Sequence, residues 1–298
     1  MIVPLDQPLA LQLSGSDAGK VFHNMTTNHV LTVAVGDSME TFVTDVRGWV
    51  VAHGLIYRIE ENRWWLLGQH PHPEKVASHI DRYIIREDAV VNDLSPQARL
   101  TIAEANSSDS GPPDQAYART SDQAGDQSSS KQDEQSFSVP FPALGPSATL
   151  QVHIGTQAEP VRSDSSTVQW DRLRISRFWP KFSQDIWEKC IPQELDRNAQ
   201  AISFTKGCYL GQETIARLDA LGQIQKKLSL VQFAAPGARP QSAITSEGRE
   251  IGHITSSVDL DDSSLCLALL KRGFFEPEVK LECGGVPGTV LPPPLYGA

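Results

Sequence analysis

Residues 39 to 68 read METFVTDVRGWVVAHGLIYRIEENRWWLLG, and their pattern decides the fold class. Three stretches, METFVTDV, WVVAHGLIYRIE and RWWLLG, are rich in β-branched and aromatic residues and are parted by turn-forming Arg47-Gly48 and Glu61-Asn62. This predicts three successive strands. A helix is expected next, in PHPEKVASHIDRYIIRED (residues 71–88), where Pro73 suits a first turn and Val76, Ile80, Tyr83 and Ile84 recur at helical spacing. Consecutive strands followed by a covering helix give an α+β layer, not a doubly wound parallel sheet.

Outward from this layer the chain divides. Residues 104–136 are dominated by Ser, Asp, Gln and Gly with Tyr117 as the only large apolar residue, too little to offset the entropy of ordering, so they read as a disordered linker or loop. STVQWDRLRISR (166–177) reads as a helix, and so does 211–221, ended by Gly222. KLSLVQFA, REIGHITSSV, SSLCLALLKR and VKLEC, from Lys227 onward, are short strands between Gly, Pro, Ser and Asp clusters, which suggests a small antiparallel barrel or sandwich. The expected organisation is a body over residues 1–103 and 137–222, the linker, and a C-terminal barrel domain over 223–298.

Composition narrows the chemistry. The four cysteines, Cys190, Cys208, Cys266 and Cys283, are widely spaced without CxxC or CxxxH, which argues against a structural zinc site, a self-contained cluster or any resident metal. A net charge of −10, of which −5 falls in residues 104–136, disfavours direct capture of nucleic acid. The first fifteen residues lack the basic start and apolar core of a signal peptide, and no run of 18 apolar residues occurs, so a cytoplasmic chain with reduced thiols and no membrane association is expected.

Four motifs merit weighing. GSDAGK (15–20) fails as a phosphate loop, because three residues separate its glycines and Val21 stands where Ser or Thr should hold magnesium; Ser14 or Ser16 capping a helix explains it. His70 and His72 flank Pro71 and read as a solvated turn. In KGCYLGQE (206–213), two glycines permit a tight turn just ahead of a helix, where Lys206 and the helix end would favour a thiolate at Cys208; a small buried hydrophobe in a structural turn is the alternative. Trp170 could stack on a flat heteroaromatic ligand with Arg174, one turn on, reaching its carboxylate; core filling is the alternative.

AISFTKGCYLGQETIAR (201–217) closely resembles the signature of the YgfZ family of folate-binding proteins, relatives of the glycine-cleavage T-protein, an aminomethyltransferase. LSGSDAGKVFHNMTTNHV, TDVRGWVVAHGLIYR, HIDRYIIREDAVV and GREIGHITSSV agree in the same order. The resemblance implies a ring of α+β subdomains closed by an antiparallel barrel, a monomer, and a central pocket for tetrahydrofolate or a derivative. It implies partners among iron–sulfur enzymes or their assembly factors, including enzymes that modify tRNA. Carried onto this chain, the signature is Lys206, Gly207, Cys208, Tyr209, Gly211, Gln212 and Glu213, with Cys208 as the reactive thiol. Trp170, Arg174, Ser176, Tyr209, Gln212 and Glu213 are the implied folate contacts.

Departures from the family pattern qualify this. The carboxylate pair of the transferases aligns with Ala52 and His53, a frequent glutamate is Ser176, and a second tryptophan is Pro8. The leading expectation is therefore a folate-binding accessory protein that supports iron–sulfur enzymes. A one-carbon transferase using His53, and a ligand-free interaction scaffold, are the alternatives.

Overall fold

The computed structural model describes residues 2–104, 135–155, 164–222, 224–277 and 279–294, so residues 105–134 of the expected linker lie outside the described residues. Strands β1 (Ile2–Pro4) and β2 (Pro8–Ser14) and helix α1 (Ala18–Met25) come first. The stretch 39–68 then forms the expected strands, β3 (Ser38–Thr44), β4 (Val50–Glu60) and β5 (Arg63–Gln69). Helix α2 (Pro73–Asp81), strands β6 (Val90–Asp93), β7 (Ala98–Glu104), β8 (Gln135–Pro140) and β9 (Ala148–Ile154), and helix α3 (Asp164–Ser176) complete the first part of the body.

These strands make two antiparallel sheets, one of five strands in the order β3-β4-β5-β2-β6 and one of four in the order β1-β7-β9-β8. The five-stranded sheet is buried on both faces. Ala52, Ile56, Trp64 and Leu66 pack with α1 and α2 residues Val21, Phe22, Val76 and Ile80, while Leu55, Tyr57, Trp65 and Leu67 pack against the four-stranded sheet. That is why RWWLLG is apolar throughout instead of alternating. Gly54 is required where β4 meets β5, because a Cβ there would lie 2.3 Å from the carbonyl oxygen of Leu67.

Several local expectations change. Asp17, not Ser14 or Ser16, stands at the N-cap of α1 without a side-chain cap bond, and the Ser16 hydroxyl instead donates to Asp88 Oδ2 at 2.7 Å. Helix α2 has Pro73 in its first turn but stops at Asp81, so Tyr83 and Ile84 reach the same core from the following loop. The edges of the expected linker are strand: Glu104 ends β7, and Gln135 and Ser136 open β8. His70 does not lie in a solvated turn. It is buried against the Phe182 ring at 4.1 Å, its Nδ1 accepts from the backbone N–H of His72, and burial lowers its pKa to about 4.

Helices α4 (Asn198–Ala201) and α5 (Gln212–Leu221) lead into β10 (Lys226–Phe233), β11 (Ala243–Ser246), β12 (Arg249–Asp259), β13 (Ser264–Lys271), β14 (Lys280–Cys283) and β15 (Val286–Leu291). Because β10 pairs with both β13 and β15, these six strands close into an antiparallel barrel around Val231, Ile244, Ile254, Cys266 and Leu281. The sequence pattern does not announce β11, which is short, or β15, which contains Pro287. Body and barrel share a further core in which Phe42, Ile175 and Ile215 meet Leu228, Leu230 and Leu267. The chain thus has the α+β architecture with a C-terminal barrel that its sequence implies.

Candidate functional site

The turn carrying Cys208 is pinned on both sides. Lys206 is buried, and its Nζ donates to the carbonyl oxygens of His23, Thr26 and Asn28 at 2.6, 2.7 and 2.8 Å, the first two belonging to the last turn and C-cap of α1. A cation at a helix C-terminus satisfies orphan carbonyls and opposes the macrodipole. Burial lowers the Lys206 pKa to about 7. Downstream, Leu210 donates its N–H to Asn24 and accepts from Thr44 Oγ1, and Gly211 adopts φ +81 against the Asp45–Gly48 turn. A Cβ on Gly211 would lie 2.4 Å from Asp45 O, so only glycine fits there.

Between these anchors Cys208 is exposed, whereas Cys190 and Cys266 are buried. The reading of Cys208 as a buried hydrophobe therefore falls. So does activation by Lys206, whose ammonium points into the α1 carbonyls. Cys208 borders a hollow of about 420 Å³ walled by Val21, Met25, Tyr83, Tyr209 and Leu210, with Asn24 and Glu87 also lining it. Tyr209 is core, its ring under the Lys206 ammonium at 4.8 Å and its hydroxyl pKa raised to about 12 by burial. Gln212 and Glu213 occupy the first turn of α5, Gln212 half-buried and Glu213 exposed.

Trp170 and Arg174 lie elsewhere and are buried among partners. Trp170 is 2% exposed within the core between the two sheets, and its indole N–H donates to Gln69 Oε1 at 2.8 Å. Gln69 in turn donates to Asp6, which pairs with Lys181 Nζ at 2.9 Å. Arg174 donates to Asp171, Asp185, Gln184 and Ser256 and is itself buried, which closes it off from a ligand carboxylate. Fully buried Asp185 also accepts from Thr255, Ser256 and the Lys181 N–H, which ties α3, the loop after it and β12 together. The sequence-based placement of Trp170 and Arg174 against a ligand is thus replaced by a structural role. Ser176 is exposed at the end of α3, bonded to its own Leu173 carbonyl.

His53 is closed into the body, so it offers no accessible acid or base. Its Nε2 lies 2.9 Å from Glu40 Oε1, and its ring stacks on Phe42 and meets Trp179 at 4.8 and 4.2 Å. Arg197 grips both oxygens of Glu40, its Nε at 2.7 Å from Oε1 and its Nη2 bonded to Oε2. Burial alone would push the Glu40 carboxyl up, but Arg197 overrides it and holds the pKa at about 2; burial lowers that of His53 against the pull of Glu40. Sequence reasoning missed Glu40 because it is a diagonal cross-strand neighbour: Phe42 is paired with His53, two residues on.

A cavity of about 760 Å³ opens at the seam between body and barrel. Trp49, Phe182 and Trp187 supply its aromatic walls, Gln184, Gln241 and Thr255 its neutral polar groups, and His253, Lys189 and Lys226 its basic side chains, with Asp45 and Glu188 also present. Trp187 buries its indole N–H without a partner among the described residues. None of the predicted site residues lines this cavity, and it shares no lining residue with the hollow at Cys208. Among the described residues no three His, Cys, Asp or Glu side chains form a metal-binding group, and no helix is long and apolar enough to cross a membrane.

Residues 7–108 match the model of the GCVT N-terminal domain. A tRNA-modifying protein YgfZ of Colwellia psychrerythraea is 34% identical over 101 residues, covering 32% of this chain and 31% of that protein. An Arabidopsis thaliana protein described as a putative chloroplastic transferase is 26% identical over 276 residues, 86% of this chain and 61% of that one. The aminomethyltransferase T of the Bartonella henselae glycine cleavage system superposes with a TM-score of 0.69 at 12% identity, covering 98% of this chain and 84% of that one. The chain is similar to YgfZ proteins and to the T-protein over these stretches. It spans less than two thirds of the length of the YgfZ relative and of the plant protein, and the T-protein likeness establishes the fold this chain shares with that enzyme.

Proposed function

We propose that the chain is a folate-binding accessory protein of YgfZ type, which supports the maturation or repair of iron–sulfur enzymes and, through them, tRNA modification. The observation that carries this reading is the displayed thiol: Cys208 is exposed on a turn held by a buried ammonium on one side and a glycine contact on the other. Such rigidity suits a sulfur presented to a partner protein. The closed Glu40–His53–Arg197 cluster, with Ala52 also buried, offers a transferred one-carbon group no reachable acid, which disfavours the transferase alternative.

The folate is assigned to the seam cavity. Its volume lies in the range of small-molecule sites, roughly 300–1,000 Å³, and its three aromatic side chains suit a flat heteroaromatic ring. The bound folate would contribute its reduced ring, while Trp49, Phe182 and Trp187 would bind and orient it.

Tetrahydrofolate titration followed by tryptophan fluorescence tests the ligand. Trp187→Ala is expected to weaken binding roughly tenfold, in line with about 1–3 kcal/mol for ring stacking, whereas Cys208→Ala leaves it unchanged. In a strain lacking the protein, Cys208→Ala is expected to fail to restore iron–sulfur enzyme activity. Absence of binding, or full restoration by Cys208→Ala, refutes the corresponding half of the reading.

A further inference from the structure

The hollow at Cys208 is built by three segments that meet beside α1. Val21, Asn24 and Met25 stand at i, i+3 and i+4 on that helix and so share one stripe of its surface. Leu210 is tied to the stripe through its N–H, which donates to the Asn24 carbonyl at 2.8 Å, and Tyr83 enters from the loop after α2. Apolar side chains therefore make most of the wall, with the exposed Cys208 among them.

One charged group lines this hollow, the Glu87 carboxylate. Its Oε2 accepts from the backbone N–H groups of Ile85 and Arg86 at 2.9 and 3.0 Å, and these bonds lower its pKa to about 2. The carboxylate is thus held in place and ionised at neutral pH. It joins no ion pair among the described residues, and Lys20 acts on it only at longer range. The same loop carries Ile85, which is 82% exposed and lies outside the hollow. Apolar surface consequently continues past the Glu87 wall, as it does where proteins associate. A small molecule seated in the hollow would leave Ile85 bare, whereas a length of polypeptide covers both.

We infer, resting on the reading of Cys208 as a displayed thiol, that this face receives an extended segment of a client protein: a cysteine to meet Cys208, an aliphatic residue beside it to fill the hollow, and a lysine or arginine to pair with Glu87. Burial of the aliphatic side chain supplies the attraction, and the carboxylate sets the sign of the charge. The net charge of −10 draws a basic segment in from a distance.

Two short peptides test this on the full chain, each with its cysteine capped as the mixed disulfide with thionitrobenzoate. In one, leucine and lysine flank the cysteine; in the other, serine and aspartate do. The Cys208 thiolate attacks the peptide sulfur, the Cys208–peptide disulfide forms as the peptide–thionitrobenzoate bond breaks, and thionitrobenzoate leaves with the electron pair while the Cys208 proton passes to the buffer. Each rate is divided by that of the same peptide with free cysteine, and the Cys208→Ala chain serves as blank. The leucine–lysine peptide is expected to react about tenfold faster at low ionic strength, as for burial of one aliphatic side chain. Glu87→Gln keeps an acceptor for the two backbone N–H groups and should remove roughly two- to fivefold of that advantage, as should added salt. Tyr83→Ala should lower the rate for this peptide further. Dithiodipyridine, small and uncharged, reports the thiol itself, so damage to the turn in either variant shows as a changed rate with this reagent. Equal rates for the two peptides, or an advantage that survives both substitutions together, overturns the docking face and leaves the displayed thiol standing. Oxidised glutathione matching the leucine–lysine peptide would assign the hollow to a small molecule, and a dimer of the chain that shields Cys208 would assign it to a second copy; either result overturns the client segment. No reaction of Cys208 even with dithiodipyridine overturns the displayed thiol and the docking face together.

Discussion

Replacing Lys206 with methionine tests the anchor on which the display of Cys208 depends. Methionine keeps the apolar stem but removes an ammonium that serves three carbonyl oxygens at 2.6–2.8 Å. Hydrogen bonds to a charged donor contribute about 1.5–3 kcal/mol each, and a buried acceptor left unpaired costs about 1–3 kcal/mol. Against this stands the relief of a buried charge, several kcal/mol in size. The difference leaves an expected loss of about 2–4 kcal/mol, measured by urea denaturation at pH 7 with an unchanged m-value. A loss under about 1 kcal/mol would refute the anchoring argument.

The same pair of proteins carries a pH test whose sign is fixed. The folded-state pKa of Lys206 is about 7 against 10.5 for the free side chain, so between these values the unfolded chain binds the extra proton. Stability contributed by this group therefore rises with pH across that window, by up to about 1.4 kcal/mol per unit. The parent chain should gain on Lys206→Met from about pH 7 to 10. A flat difference would mean that the three carbonyls keep the proton in place against burial, and would refute the lowered pKa while sparing the anchor.

Three further outcomes are expected. A thiol reagent should label Cys208 fastest, and Cys208→Ala should abolish that phase, because Cys190 and Cys266 are buried and Cys283 is half-buried; an equally fast phase that survives the substitution would contradict the exposure of Cys208. Gly211→Ala should destabilise by more than about 3 kcal/mol, or prevent folding, since its Cβ would meet Asp45 O at 2.4 Å in a left-handed backbone; a melting temperature like that of the parent would refute the contact. Trp170→Phe should cost about 1–3 kcal/mol by leaving Gln69 Oε1 unpaired and should not alter folate affinity, whereas a large change in affinity would return Trp170 to the ligand site.

The sequence discloses what depends on near neighbours and period. Runs rich in β-branched and aromatic residues announce β3, β4 and β5, and Pro73 and Gly222 mark the start of α2 and the end of α5. The errors share one cause, the treatment of neighbours along the chain as neighbours in space. Lys206 was assigned to Cys208, two residues away, but its partners are about 180 positions earlier. Trp170 and Arg174 have a ligand-like pattern on a helix, yet Gln69 and Asp185 claim them. Buried polar groups take partners wherever the fold supplies them, and spacing within one helix carries no trace of that choice. The strained φ at Lys189, which marks the seam cavity, is likewise invisible, since nothing about lysine announces a left-handed backbone.

The two places where chemistry is available are separate, yet one turn serves both. The Asp45–Gly48 turn receives Gly211 in a contact that admits no side chain, and Gly211 follows Cys208 by three residues. On its other side Asp45 and the adjoining Trp49 line the seam cavity, and the Asp45 carboxylate holds the Trp49 N–H at 2.9 Å. The position of the Trp49 ring and that of the Cys208 turn are therefore fixed by a single short stretch of backbone whose glycine contact cannot relax without moving both. A displayed thiol and an aromatic cavity wall built on one such turn make physical sense of RGW and KGCYLGQE together, which separate readings of the two motifs do not.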